Sequence, residues 1–396
     1  MKAVISLNSG SSSIKFAVFD LDDGRRPAFA AGGKIERIGI SPRLEIKGAD
    51  GAVLSRHEWP GESDRTHEEL LSWLLTWFGR YLESREVIAI GHRVVHGGRD
   101  FARPCLIDGV VLEELEKLCS LAPLHQPHNL AAIRTIAKIA PELAQVACFD
   151  TAFHHDRAEI TTRFAIPREL HDAGIRRYGF HGLSYEYVAG CLAELDPDLA
   201  AGRVIVAHLG NGASMCAMVG GRSIDTTMGF TAIDGLMMGT RSGAIDPGVI
   251  LHLQSSMGMS AQEVESLLYN RSGLLGVSGI SSDMRTLSHS TAQQAEEAIA
   301  LFAWRAAREA SALVTSLQGL DGIVFTAGIG ENHAGIRSRI CRQLEWLGVA
   351  VNETANAGAD PMISLPSSRV KVRIVPTDEE RMIALHTLTV LFGENA

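Results

Sequence analysis

Apolar and polar positions along the chain follow two rhythms. Lys2 to Leu7 is apolar after its first residue and reads as a strand. Residues 8–13, Asn-Ser-Gly-Ser-Ser-Ser, read as a tight polar turn. Ile14 to Asp20 is apolar at 14, 16 and 18 and predicts a second strand. The same grammar returns two hundred residues later. Arg203 to Leu209 reads as a strand, Gly210-Asn211-Gly212 as a turn and Ala213 to Val219 as a strand. Gly220-Gly221 then opens a hairpin into Arg222 to Thr227. Two strand–turn–strand units, one near the start of each half, suggest two related α/β halves; a hairpin also recurs by chance, so the pattern alone leaves duplication open.

Helical spacing predicts helices over Thr66 to Leu82, Pro127 to Ile139, Ala261 to Leu268 and Ala292 to Gly319. Proline at the start of the second suits a first turn, where its missing N–H costs nothing. Short apolar runs at Val87–Ile90, Ala144–Phe149 and Gly322–Thr326 read as buried strands. The domain boundary is expected just after Cys148-Phe149-Asp150. No apolar run approaches the roughly 18 residues of a membrane span, and the N-terminal run Ala3 to Leu7 is too short for a secretory leader.

The 396 residues suffice for two domains with sizeable cores. With 46% hydrophobic and 21% charged residues the balance is that of a soluble globular protein. A net charge of −9 argues against nucleic acid and anionic membrane as partners. An anionic substrate must then be held by a few local cations, which turns attention to arginines inside motifs. The six cysteines, at 105, 119, 148, 191, 216 and 341, form no C-x-x-C pair and have no metal-ligand spacing. Reduced thiols and a cytoplasmic location are the expectation.

Three glycine-rich turns lie at strand ends. The first is Asn8 to Ser13 with Lys15 just beyond; the second is His208-Leu209-Gly210-Asn211-Gly212; the third is Ala327-Gly328-Ile329-Gly330-Glu331-Asn332. Small residues let backbone N–H groups approach a phosphate, and a following helix adds its N-terminus. Each turn alone could equally be a plain polar turn, and none is the P-loop. Together they suggest a nucleotide held between two domains. Arg93, in Gly91-His92-Arg93-Val94-Val95-His96-Gly97-Gly98, and Arg241, in Met238-Gly239-Thr240-Arg241-Ser242-Gly243, sit among glycines and apolar residues, with little water and more need of an anion than a surface arginine has. Asp150, at the end of an apolar strand, is placed for metal or substrate, or for capping a helix. His125 and His181 are candidate donors to a moving phosphoryl group. His154-His155 resembles a metal pair only superficially, because adjacent residues rarely share an ion.

From residue 2 to about residue 390, these stretches resemble the acetate kinase family. Ile5 to Phe16, Gly91 to Gly98, Phe149 to His154, Arg177 to Gly182, His208 to Gly212, Gly239 to Gly243, Gly328 to Asn332 and Thr377 to Glu380 occur in the family's order. The resemblance implies an α/β fold of two actin-like, ribonuclease-H-like domains flanking a nucleotide cleft. Residues 1–150 would form the first, completed by a C-terminal helix over 381–396. Residues 151–380 would form the second, with most of the ATP site. It implies a cytoplasmic homodimer that transfers the ATP γ-phosphoryl group to acetate with magnesium, or manganese. Asp150, His181 and Arg241 would be catalytic. Arg93, Val95, Leu124, Phe180 and Ala232 would bind the substrate, and Ser11 and Ser13 the phosphates. Lys15, His208 to Gly212, Asp283, Met284, Arg285 and Gly328 to Asn332 would bind ATP, and Asn8 and Glu379 the metal.

Physics agrees with such roles. Phosphoryl transfer is mostly positioning and cation placement, and a carboxylate acceptor is already ionised at neutral pH. Three departures stand out. Thr231-Ala232-Ile233 replaces threonine-proline-leucine at the methyl pocket. Asp378 replaces the asparagine before the metal glutamate. His181-Gly182-Leu183-Ser184-Tyr185 replaces histidine-glycine-threonine-serine-histidine. The first leaves propionate or butyrate open as acceptor; a non-enzymatic ATP-binding switch of the actin or chaperone class is the more distant alternative, and it would not need Arg93, Arg241 and His181 together.

Overall fold

The computed structural model describes residues 1–10, 13–22, 26–59, 61, 65–123 and 125–393. The chain divides into two units, Met1–His155 with Asp378–Ala396, and Asp156–Thr377.

In the first unit β1 (Lys2–Ser9) is buried at every position after Lys2, as a central strand covered on both faces requires. It pairs antiparallel with β2 (Ser13–Asp22), which pairs with β3 (Arg26–Glu36), then β4 (Arg43–Gly48) and β5 (Val53–Glu58). On its other side β6 (Glu86–Val94) and then β8 (Ala144–Phe149) run parallel to it, and β7 (Cys105–Leu106) closes the edge. The order is β5-β4-β3-β2-β1-β6-β8-β7. Helices His67–Tyr81 and Gln126–Ile139 pack with one face, where Leu70, Leu74, Phe78, Ala132 and Ile136 join Ile5, Leu7, Phe16 and Ile90 in a core. Thr66 starts the first of these with a full capping box to Glu69. Ala384 and Leu388 of helix Glu379–Phe392 pack against Val4, Ala17 and Phe19. A Cβ on Gly91 of β6 would collide with Thr387 Oγ1 and Ile383 Cγ2 of that helix, so glycine permits this close approach.

In the second unit β9 (Arg203–Leu209), β10 (Ala213–Val219) and β11 (Arg222–Thr226) form an antiparallel meander, and β12 (Gly322–Thr326) and β13 (Lys371–Ile374) add parallel to β9. The order is β11-β10-β9-β12-β13. The first unit contains the same core order, β3-β2-β1-β6-β8, with the same strand directions. The paired strand–turn–strand units are thus the first two strands of each sheet. Helix Gln293–Leu317 lies against β9, β10 and β11. Its buried side is rich in small residues, Ala295, Ala298, Ala303, Ala306, Ala307 and Ala310, which lets the helix lie close.

The four helices predicted from spacing all occur, within three residues of their expected ends, and the C-terminal helix expected over 381–396 runs over Glu379–Phe392. β6 runs four residues past its expected end, because hydrogen bonding to β8 continues through Val94. Among the described residues no helix is long and apolar enough to cross a membrane.

Candidate active site

In the first unit three parallel neighbours, β1, β6 and β8, end side by side. Asn8 is near the end of β1, Arg93 is the penultimate residue of β6, and Asp150 follows β8 directly. Arg93 donates from Nε and Nη2 to both carboxylate oxygens of Asp150, at 2.5–3.1 Å, and from Nη1 to Asn8 Oδ1 at 3.3 Å. Asp150 is 1% exposed. Burial lifts its pKa above the usual carboxylate range against the pull of Arg93, and Glu379 adds to the lift. Asp150 caps no helix; the short 3₁₀ turn beyond it starts from Thr151. Glu379 and Glu380 open the C-terminal helix, with Asp378 as its N-cap. Burial raises Glu380 as well, opposed by Lys15, which pairs across β1–β2 with Asn8.

The first glycine turn is closed by Gly10 N–H donating to Ser13 O at 2.8 Å. Ser11 and Leu124 lie outside the described residues. Two buried amides on helix Gln126–Ile139 hold the surroundings in place. Asn129 donates to Ser9 O at 2.6 Å and accepts from Val95 N–H. Gln126 accepts from His96 N–H and donates to His96 O. Val95 is itself buried. His125 begins the same helix without a side-chain cap.

In the second unit Gly210, Asn211, Asp283, Met284, Arg285, Gly328, Ile329 and Asn332, with Ser282 and His333, line one cavity of about 510 Å³. That is the size of a pocket for a compact organic ligand. Asp283 caps the helix that follows it and pairs with Arg285. Glu331 is not among the lining residues; its Oε1 accepts from Ala327 N–H and Thr377 N–H. Leu209 and Gly330 are buried.

Beside this cavity His181 stands at a left-handed backbone position, φ 59°, before helix Gly182–Leu195. Its ring stacks on His208 with centroids 4.2 Å apart. A Cβ on Gly212 would sit 3.2 Å from His181 Nε2 and 3.9 Å from Arg241 Nη1, so the turn, the imidazole and the guanidinium converge. Arg241 Nη1 donates to Ala232 O at 3.0 Å. Gly239 donates to Asn211 O and could carry no side chain there, because its Cβ would strike Asn211 Oδ1. Phe180 is buried and Ala232 half-buried.

The residues singled out in the sequence therefore fall into two sets, one per unit. Sequence reasoning missed Ser282, His333, Gln126, Asn129 and Ser214, which holds His181 Nδ1 at 2.8 Å. The first two adjoin motif residues. The amide pair shows only as two polar residues three apart in a helix that also carries His128, Arg134, Thr135 and Lys138. Among the described residues no group of three His, Cys, Asp or Glu is arranged to hold a metal ion, so His154 and His155 belong to none.

Two units of one strand order, each with glycine turns where its central strands end, define the actin-like class of nucleotide-binding folds. The chain belongs to the acetokinase family, whose profile matches residues 3–385. It is 49% identical over 396 residues to an acetate kinase of Nitrobacter hamburgensis, covering 100% of this chain and 98% of that one. Solved structures agree. A propionate kinase from Francisella tularensis superposes with a TM-score of 0.89 at 38% identity, covering 98% of this chain and 99% of that one. Porphyromonas gingivalis acetate kinase gives 0.87 at 35%, covering 99% and 100%.

Proposed function

We propose that this protein is an ATP:acetate phosphotransferase, making acetyl phosphate and ADP reversibly. The observation that carries the reading is the full-length match to relatives named acetate kinase. The geometry supports it. In the second unit the cavity would take the nucleotide, with Gly210, Asn211, Gly212 and Gly328 beside its phosphates. An acetate oxygen attacks the γ-phosphorus, the bond to the β-phosphate oxygen breaks, and the electron pair leaves with ADP. Charge spreads over three equatorial oxygens. Arg241 and His181 would donate to those oxygens and Arg93 would hold the acetate carboxylate, with Val95, Leu124, Phe180 and Ala232 around its methyl group. Lys15, Ser11 and Ser13 would approach the phosphates.

Magnesium fits the donor set of the first unit. Asn8 Oδ1, Asp150 and Glu379 offer hard oxygen donors, and two carboxylates beside one arginine leave negative charge to balance. Magnesium takes few protein ligands and keeps phosphate and water ligands, which two carboxylates and an amide would leave room for. Bound there, the ion would neutralise phosphate charge.

Mixing the protein with ATP, magnesium, acetate and hydroxylamine should yield acetohydroxamate; its absence sinks the reading. Alanine at 232 and the propionate kinase relative favour propionate as a second acceptor, and a chain-length series measures it.

A cytoplasmic homodimer belongs to the same reading. The six cysteines are free thiols. Helix Pro247–Ser255 has no buried residue although it carries Val249, Leu251 and Leu253, and Ile245 and Met257 beside it are also exposed. A second copy would cover this face.

A further inference from the structure

Tyr185 is where the chain departs from the histidine of the family's run, and the structure gives that residue a place in a hydrogen-bond chain. His181 Nδ1 lies 2.8 Å from Ser214 Oγ, and Ser214 Oγ lies 2.5 Å from Tyr185 Oη. Ser214 and Tyr185 are both 0% exposed, shut off from bulk solvent. A second chain runs beside the first. Thr377 Oγ1 donates to Ser184 Oγ at 2.9 Å, and Ser184 Oγ lies 2.8 Å from His208 Nδ1. The rings are stacked, and both turn Nε2 toward the glycine turn: a Cβ on Gly212 would be 3.2 Å from His181 Nε2, and one on Gly210 would be 3.8 Å from His208 Nε2. Ser214 faces His208 across the β9–β10 ladder, so one hairpin sets ring, serine and turn together.

Proton counting gives the chain its direction. A serine hydroxyl has one proton. Among the described residues Ser214 Oγ has two hydrogen-bond partners, the tyrosine and the histidine. A phenol is the stronger donor of the two hydroxyls, and burial lifts the Tyr185 pKa well above its usual value, so its proton stays in place. With Tyr185 donating to Ser214, the serine proton has one destination, His181 Nδ1. A histidine that accepts at Nδ1 carries its own proton at Nε2.

We propose that Tyr185 and Ser214 are positioning residues that lock His181 in its neutral Nε2–H tautomer, so that an N–H donor faces the glycine turn. The mechanism uses that proton. A neutral imidazole with Nε2 bare would turn a lone pair toward phosphoryl oxygens, where like charge repels it; with Nε2–H it donates to the charge that grows in transfer. Phenylalanine at 185 removes the donor that orients Ser214. The serine can then accept from Nδ1–H, and the ring is free to present the wrong edge. The inference rests on the role of His181 proposed above, yet the tautomer can be read without turnover.

The test uses the full chain labelled with ¹⁵N-histidine, and His181→Gln assigns the His181 signals in long-range ¹H–¹⁵N spectra. Native protein should show His181 with unprotonated Nδ1 and protonated Nε2. Tyr185→Phe should show a mixture of tautomers. Its kcat should fall about 10- to 100-fold while KM for acetate and ATP stays within about twofold, as expected when a transition-state donor is lost but the binding contacts remain. Ser214→Ala should act in the same direction. Nδ1 protonated in the native protein overturns the proposal, and so does a Tyr185→Phe protein with native tautomer and native kcat. If Tyr185→Phe does not fold, the native spectrum alone decides. If native protein makes no acetyl phosphate, the functional reading fails while the tautomer result stands on its own.

Discussion

Arg93 and Arg241 sit differently. Arg93 is committed to Asp150 and Asn8, whereas Arg241 is steadied through Nη1 by the Ala232 carbonyl. Either guanidinium, truncated, removes a charge-assisted contact from a partly dry site, about 3 kcal/mol or ~100-fold in turnover. Arg93→Ala and Arg241→Ala should each show that loss in steady-state kinetics while circular dichroism stays native. Asp150→Asn should lose turnover as severely; a melting temperature close to native would separate this from a folding defect. At 232, proline would remove freedom in φ and fill space while keeping the carbonyl that Arg241 uses. Ala232→Pro should raise the acetate-over-propionate ratio of kcat/KM, within the ~1–3 kcal/mol that one methylene is worth in an apolar pocket. An unchanged ratio would show that position 232 does not set chain length.

At the scale of elements, Gly91 is the tightest joint in the first sheet. Gly91→Ala puts a methyl group into Thr387 and Ile383, so the C-terminal helix must lift, at about 1–3 kcal/mol. A lower melting temperature and lower turnover should follow together, because Glu379 and Glu380 open that helix; Thr387→Ala in the same chain should recover part of both. The elements also show what a sequence yields. Strands β1, β9 and β10 were legible as continuous apolar runs buried on both faces and bounded by polar turns, β2 by its alternation, and the long helices by their 3.6-residue stripe. Strands β3 to β5 were not: Arg26–Glu36 carries glycine and alanine runs that break its alternation, Arg43–Gly48 alternates but over only six residues, and Val53–Glu58 has no buried position. Helix Gly182–Leu195 was missed because it is apolar on nearly all sides and shows little stripe. In the same way, the glycine turns and their arginines stood out as motifs, but Gln126, Asn129 and Ser214 did not. A buried amide or hydroxyl looks like surface polarity until the third dimension supplies its partner.

At the scale of the whole molecule, two observations have consequences in solution. His92 is buried on Gln145, and His96 is buried a few residues on; burial pulls both down to about 4. The unfolded chain binds these protons near pH 6.5, so the stability they contribute is full above that pH and erodes as pH falls toward 4. Asp150 and Glu380, raised by burial, act in the opposite sense, so the histidine effect is best read as a difference. Between pH 6 and 5, His92→Asn should lose less unfolding free energy than native protein, by about 1.4 kcal/mol per pH unit, in urea titrations. The second observation is the uncovered helix Pro247–Ser255. On the dimer proposed above, a charge at its most exposed apolar position, Leu251→Glu, should shift the protein from dimer to monomer in analytical ultracentrifugation. A native protein that sediments as a monomer would remove the basis for the dimer.

The Arg93–Asp150 pair has one more consequence. The fork proposed above to receive an acceptor's carboxylate already grips one, tethered just beyond the neighbouring strand. An incoming acid therefore meets a competitor at very high effective concentration and wins only what remains after the exchange. Such a seat discriminates against lingering. On that reading it makes the acceptor's hold weak. A permanent occupant of this kind turns affinity down without altering the shape of the site.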